Sequence, residues 1–316
     1  MLKQKIILIC FAFLLATLIV GGQIIYQSDF ETDQSASFIV QKQSGGDATC
    51  DFNYDFLTYV PQPITTGTYP IAQSPNSPPS AGTKAVRFDV NITAGVVDSV
   101  TIFPTAAVGL QDYTMRFDLW INYNGAAYGV GGVGTTEFIA VGGHSDSLVS
   151  APPGITGTSS FKGFFWTATG EGGAAQDYRY YEGNGSTVTR TDAQPNWWGA
   201  GSISHADAGW MALFTTPPYE STGAPGKAWV TVEMVVSNLG KDVAVYFTPI
   251  GGTKTLAGQW TILDASLSSG YPLIAYLDIF SGVANPGQDN FGLIDNLLIE
   301  IPAPPTSAKT IWSLYE

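Results

Sequence analysis

Apolar and polar side chains alternate with a period of two along much of the chain. From Tyr113 to Ile121, the residues Tyr113, Met115, Phe117, Leu119 and Ile121 share one face. Thr114, Arg116, Asp118, Trp120 and Asn122 share the other. This is the pattern of a half-buried β-strand. Val230, Val232, Met234 and Val236 oppose Trp229, Thr231 and Glu233 in the same way. Val243, Val245 and Phe247 mark a third such strand, and Val86, Phe88 and Val90 a fourth. Leu273–Phe280 and Phe164–Ala168 are apolar on both faces, as strands inside a sandwich are. No stretch sustains the 3.6-residue apolar period of an amphipathic helix.

Turn signals separate these runs. They fall at Asn91–Gly95, Asn124-Gly125, Asn184-Gly185, Pro217-Pro218, Gly223–Gly226, Asn238–Lys241 and Gly251-Gly252. Many strands, Gly/Pro turns and no helices predict an all-β fold: a two-sheet antiparallel β-sandwich or jelly roll. No repeat of 20–50 residues is present, which disfavours a propeller or solenoid. Pro61–Thr83 is rich in Pro, Ser and Thr and reads as a long ordered loop.

Composition narrows the function classes. The 316 residues include 36 Gly and 19 Pro, the turn inventory of a β domain. Charged residues make up 12% against roughly 25% in ordinary globular proteins. Thirteen Lys and Arg face 26 Asp and Glu, for a net charge of −13. That balance excludes a nucleic-acid binder, which needs a basic footprint. The 45% hydrophobic content excludes a disordered chain.

Residues 1–22 have the layout of a secretory signal peptide: Lys3 and Lys5, then a mainly apolar run from Ile6 to Val20, then Val20 and Gly22 before Gln23. The run is short for a membrane span of ~20 residues. The expected product is secreted or held at the cell surface, with no stable membrane span. Cleavage there takes the net charge from −13 to −15, because two lysines and no acids leave. Only Cys50 then remains, so no internal disulfide forms and stability rests on a large core. The expected organisation is a signal peptide over 1–22, one sandwich domain over 23–302 and a C-terminal tail over 303–316.

Several motifs occur in order: YDF with PIAQSPNSPPSAGTKAVRFDVN, DYTMRFDLWIN (Asp112–Asn122), GTTEF (Gly134–Phe138), TGEGGAAQDYRYYEG (Thr169–Gly183) and LIAYLDIFSGVANPGQDNFGLIDNLLIE (Leu273–Glu300). Together they resemble a group of secreted bacterial proteins with a concanavalin A-like/laminin G-like jelly roll. The resemblance runs from about Tyr26 to Ile301. It implies a two-sheet sandwich whose first and last strands pair. It implies no particular activity. Such proteins often end in a hydrophobic span and a basic stop; Pro302–Glu316 has neither.

Catalytic patterns are weak. Laminarinase-like enzymes of this fold carry paired acids two residues apart on one strand, to hold carboxylates about 5 Å apart. Glu137 is followed by Phe138, Ile139 and Ala140, and Glu233 has Thr231 and Val235 two places away, so neither has its partner. The Gln-x-His and Arg-x-Glu-x-Arg strands of alginate-lyase relatives do not occur. His144 and His205 each have Ser and Asp nearby in sequence, but a Ser-His-Asp relay is a spatial arrangement with an oxyanion hole.

Aromatic side chains suggest sugar binding, since pyranose rings present apolar C–H faces to flat rings. Tyr178, Arg179, Tyr180 and Tyr181 cluster, and Trp197, Trp198 and Trp210 follow. Two adjacent Trp cannot both face the core from a flat strand. The same rings could equally fill a large sandwich core. For metal, jelly-roll carbohydrate-binding modules look similar in pairing a Phe-Glu near the first strand with an Asp in the last around a structural Ca²⁺. The matching positions are Phe30-Glu31 and Asp295. Alternation puts Asp295 on the face of Leu293 and Leu297, where a carboxylate is costly unless paired, hydrogen-bonded or coordinated. Asp278, Asn285 and Asp289 offer a second oxygen-rich loop suited to Ca²⁺.

Three functions are consistent with these observations. The first is non-catalytic binding of an extracellular polysaccharide through the Tyr178–Tyr181, Trp197, Trp198 and Trp210 aromatics. The second is a self-associating surface or matrix protein that uses exposed sheet edges. The third is a glycan hydrolase or lyase with acids outside the known patterns.

Overall fold

A computed structural model describes residues 22–60, 70–77, 82–123, 137–146, 149–151, 157–171, 176–190, 204–281, 283 and 289–303. Residues 1–21 of the signal segment, residues 304–316 of the tail, Asn285, Trp197 and Trp198 lie outside them. In chain order the strands are β1 (Gln23–Ser28), β2 (Phe38–Lys42), β3 (Thr49–Asp55), β4 (Lys84–Asp89), β5 (Asp98–Pro104) and β6 (Tyr113–Asn122). Then come β7 (Glu137–Ser145), β8 (Gly157–Thr158), β9 (Lys162–Thr169), β10 (Tyr178–Asn184) and β11 (Thr187–Arg190). A short helix, α1 (Ala208–Leu213), precedes β12 (Val230–Ser237), β13 (Asp242–Pro249), β14 (Thr255–Thr261), β15 (Tyr271–Asp278) and β16 (Phe291–Ile301).

These strands form two antiparallel sheets of eight among the described residues. The first runs β14-β13-β12-β6-β16-β4-β3, and β1 also pairs with β16. The second runs β2-β5-β15-β7-β9-β10-β11-β8. The fold is the expected all-β, two-sheet sandwich. Its first and last strands do pair, Gln23 opposite Ile301 and Ser28 opposite Leu297.

The core lies between the sheets, and the period-two faces read from sequence point into it. Met115, Phe117 and Leu119 of β6 meet Val230, Val232 and Met234 of β12, with Val243, Val245 and Phe247 of β13 beside them. Ile139 and Val141 of β7, Phe164 and Trp166 of β9, and Ile274 and Tyr276 of β15 close the other side. The second sheet is buried on its outer face too, where Phe165, Tyr181, Leu273, Ala275 and Leu277 pack with Ala151 and Phe161. That explains why Phe164–Ala168 and Leu273–Leu277, the strand part of the Leu273–Phe280 run, are apolar on both sides. The first sheet's outer face carries a smaller cluster of Trp120, Trp229, Leu293, Phe56 and Ile71.

Two expectations are corrected. A helix is present: Asp207 caps α1 by accepting from Gly209 N at 2.8 Å, and Trp210 is its buried residue. The helix is too short to show apolar periodicity. Asp295 and Leu297 do not share a face. Asn296 has φ of 53° and the register shifts between Asp295 and Leu298, so a bulge turns Leu297 into the core while Asp295 stays outside.

Candidate functional site

Strand β10 splits the predicted sugar-binding cluster. Tyr178 and Tyr180 point into the core. The Tyr178 ring stacks on Trp210 at 3.7 Å and 15°, and its hydroxyl donates to Gly223 O at 2.6 Å. Tyr180 stacks on Trp260 at 4.6 Å and donates to Glu182 Oε1. Arg179 and Tyr181 point the other way, and Tyr181 stacks on Phe165 at 4.9 Å. Tyr178, Tyr180, Tyr181 and Trp210 are all fully buried, so none of these rings offers a face to a sugar. The reason is position: β10 lies between β9 and β11 in the sheet that is covered on both sides.

The predicted metal residues are not assembled. Glu31 Oε1 accepts from Thr83 N at 2.8 Å and Lys84 N at 3.1 Å. Asp295 accepts from Ser74 and Ser77 hydroxyls at 2.8 and 3.3 Å, and from Asn296 N at 2.7 Å. Burial nevertheless pushes the Asp295 carboxyl up to about 7. Asp278 stands in register between Asp98 of β5 and Glu137 of β7, and all three are buried on the inner face. Burial raises all three acids, Asp278 to about 6. Asp278 is held by Asn91 Nδ2 at 2.6 Å and Phe280 N at 2.8 Å. Asp289 is buried nearby in sequence to β16, where Asn122 Nδ2 donates to its carbonyl at 2.6 Å. Calcium takes about six to eight oxygens. Among the described residues, no group of three or more His, Cys, Asp or Glu side chains is placed to hold a metal ion. Among the described residues these side chains form neither expected calcium site, and Asn285 of the second lies outside the described residues.

The histidines serve the scaffold. His144 is buried, with Nδ1 3.3 Å from Leu267 O and Nε2 3.4 Å from Gln111 O, and burial lowers its pKa. His205 Nδ1 lies 2.9 Å from Asp177 Oδ2, which also accepts from His205 N at 2.8 Å. Its sequence neighbour Asp207 is occupied by the helix cap.

A groove of about 400 Å³ lies on the outer face of the first sheet, at positions no sequence motif marked. Val235 and Ser237 come from β12, Asp242, Ala244 and Tyr246 from β13, and Gln259 and Thr261 from β14. Register sets the pattern. Ser237, Asp242 and Thr261 form one row across the strands, and Val235, Ala244 and Gln259 form the next. Ala244 is the small residue of the floor, between Tyr246 and Asp242 along its strand. Asp242 is steadied by Thr261 Oγ1 at 3.0 Å and Asn238 Nδ2 at 2.9 Å. Lys254 Nζ lies 4.4 Å from the Tyr246 ring centre and pairs with Glu233. An apolar strip of Val235, Ala244 and Tyr246 is thus bordered by amide, hydroxyl and carboxylate groups. The outward positions of the period-two pattern carried the signal, but only the strand register shows that they meet.

No family model matches the chain, and no curated protein matches it. Among solved structures it is similar to the Ca²⁺-bound exoplasmic/lumenal domain of VIP36, at 12% identity over 89% of this chain and 90% of that one, with a TM-score of 0.43. It is similar to peanut lectin with a 9mer peptide, at 12% identity over 87% and 95%, with a TM-score of 0.42. It is also similar to a protein of unknown function with a galectin-like fold from Bacillus subtilis, at 6% identity over 90% and 98%, with a TM-score of 0.45.

Proposed function

We propose that this chain is an exported, non-catalytic carbohydrate-binding protein that holds an extracellular polysaccharide in the groove of β12, β13 and β14. The observation that carries this reading is the groove itself: a half-exposed Tyr246 and a shallow Ala244 floor between polar rows. A sugar ring can lay its C–H face on Val235, Ala244 and Tyr246. Asp242, Gln259, Ser237 and Thr261 then supply the donors and acceptors its hydroxyls need. The acidic balance of the chain favours neutral sugars here.

A glycan array followed by calorimetry on the best ligand tests this. Tyr246→Ala and Gln259→Ala should each weaken binding about tenfold, the equivalent of ~1.4 kcal/mol. Both side chains lie on the outer face, so the melting temperature should move little. Wild-type affinity in both variants would remove this groove as the site.

A further inference from the structure

The row of Ser237, Asp242 and Thr261 crosses the first sheet and ends at β14, the edge strand of that sheet. Beyond this edge lies a second cleft, of about 310 Å³. Glu182 and Asn184 of β10, Thr187 and Thr189 of β11, and Leu263 and Asp264 after β14 line it. Sheet topology makes the cleft. Tyr180 of β10 stacks on Trp260 of β14, and there the first sheet ends. The next strand of the second sheet, β11, therefore leaves Thr187 and Thr189 exposed on the face that Glu182 shares. The chain bends at Leu263 as it leaves β14. Leu263 N and Asp264 N donate to the Glu182 carboxylate at 3.0 and 3.1 Å, and the Tyr180 hydroxyl donates to it at 3.1 Å. Glu182 is thus spent on holding the bend, while Leu263 itself is 64% exposed. Asn184 Oδ1 accepts from Ser186 N and Thr187 N at 3.0 and 2.9 Å, which leaves its Nδ2 as a donor at the rim. The cleft offers an exposed apolar wall, an amide donor and hydroxyls, the same kinds of group as the groove. Only Ile262 stands between Thr261 of the groove and Leu263 of the cleft, which is at most ~7 Å of chain.

We infer that this cleft is a second subsite for the same polysaccharide, and that one oligosaccharide bridges groove and cleft around the edge of β14. The inference rests on the groove reading and adds that recognition takes several consecutive sugar units. One unit lies in the groove. A later unit lays its C–H face on Leu263, and its hydroxyls meet Asn184 Nδ2 and the Thr189 hydroxyl. Once the first unit is held, the second contact is intramolecular, so affinity rises without a stronger contact at either place.

The experiment is calorimetry with length ladders of laminari-, cello- and xylo-oligosaccharides, from monomer to hexamer. At least one ladder should bind the wild type, with affinity rising at least about tenfold from dimer to hexamer. Leu263→Ala and Thr189→Ala should each remove most of that rise. Both positions are exposed, and Leu263→Ala keeps the backbone N–H that Glu182 accepts, so the melting temperature should hold. Tyr246→Ala should instead weaken dimer and hexamer alike. A longer chain also offers more binding frames, but that gain is the same in wild type and cleft variants, so the difference between them reads the cleft. Equal affinity for dimer and hexamer, with Tyr246→Ala still weakening both, would overturn the bridge and leave the groove standing. So would a rise with length that survives in both cleft variants. No binding by any ladder would overturn the groove and the bridge together.

Discussion

Asp118 of β6 and Asp295 of β16 face each other directly across neighbouring strands, and both are fully buried. The segment Ile71–Ser77 lies against them. Asp118 accepts from Asn76 N and Nδ2, Thr231 Oγ1 and Asn296 Nδ2 at 2.6–3.2 Å. Asp295 receives two hydroxyls and one backbone N–H. Desolvation is the largest cause of its raised pKa, and the neighbouring Asp118 charge adds to it.

Stability should therefore fall as pH rises. The folded state holds the Asp295 proton up to about 7, whereas the unfolded chain releases it near 3.8. Between those values the native state binds more protons, so the stability it contributes is present at the acidic end and lost by about pH 7. Asp278, raised to about 6, acts in the same direction. Melting curves at pH 5 and pH 8 should show a lower midpoint at pH 8. Asp295→Asn should flatten that difference by raising the pH 8 value. An unchanged slope in the variant would assign the effect elsewhere.

Trp210 joins α1 to the core through Tyr178 and through Phe214, whose ring is 6.4 Å away and parallel. Trp210→Ala should cost about 3–5 kcal/mol, the usual range for deleting a large buried ring. Denaturant unfolding measures this. The folded fraction of the variant should bind at the groove with wild-type affinity.

Gly143 of β7 lies against the Tyr113 side chain, and a methyl group at Gly143 would collide with the Tyr113 hydroxyl. Gly143→Ala should destabilise by about 1–3 kcal/mol. The Tyr113 hydroxyl is itself buried without a hydrogen-bond partner. Tyr113→Phe should be neutral or stabilising alone and should rescue part of the Gly143→Ala loss. A double-mutant cycle reads the coupling directly.

Asn91 ties the β4–β5 turn to β15. Its Oδ1 accepts from Gly95 N at 2.8 Å and Val96 N at 3.3 Å, while Nδ2 donates to Asp278. Asn91→Ala strips a donor from a buried carboxyl, and should cost about 1–3 kcal/mol by chemical denaturation. Asn91 also heads an Asn-Ile-Thr sequon, but it is only 1% exposed. Expressed in a glycosylating host, the folded protein should carry no glycan at Asn91 by peptide mass mapping.

Strands with one face on the core were legible because alternation is the direct trace of a half-buried sheet. Tyr113–Ile121 and Val230–Val236 take the faces their sequences assign. Tyr178–Tyr181 alternates as well, with tyrosines on opposite faces, but its pattern does not say that both faces are covered. That depends on Phe161 and Ala151, which reach the outer side from other parts of the chain. The bulge at Asn296 was hidden because an extra residue changes register without changing composition. The groove residues Asp242, Tyr246 and Gln259 were unremarkable in sequence. Their meeting depends on pairing between β12, β13 and β14, and no local pattern encodes that register in full.

Strand β16 pairs with β6 along one side and with β4 and then β1 along the other. The last strand of the sandwich is therefore an interior member of its sheet. During synthesis, β1, β4 and β6 must wait for residues 291–301 before their edges are satisfied. Closing contacts over such sequence separations is slow. A chain with this connectivity completes its first sheet only once residues 291–301 have been made.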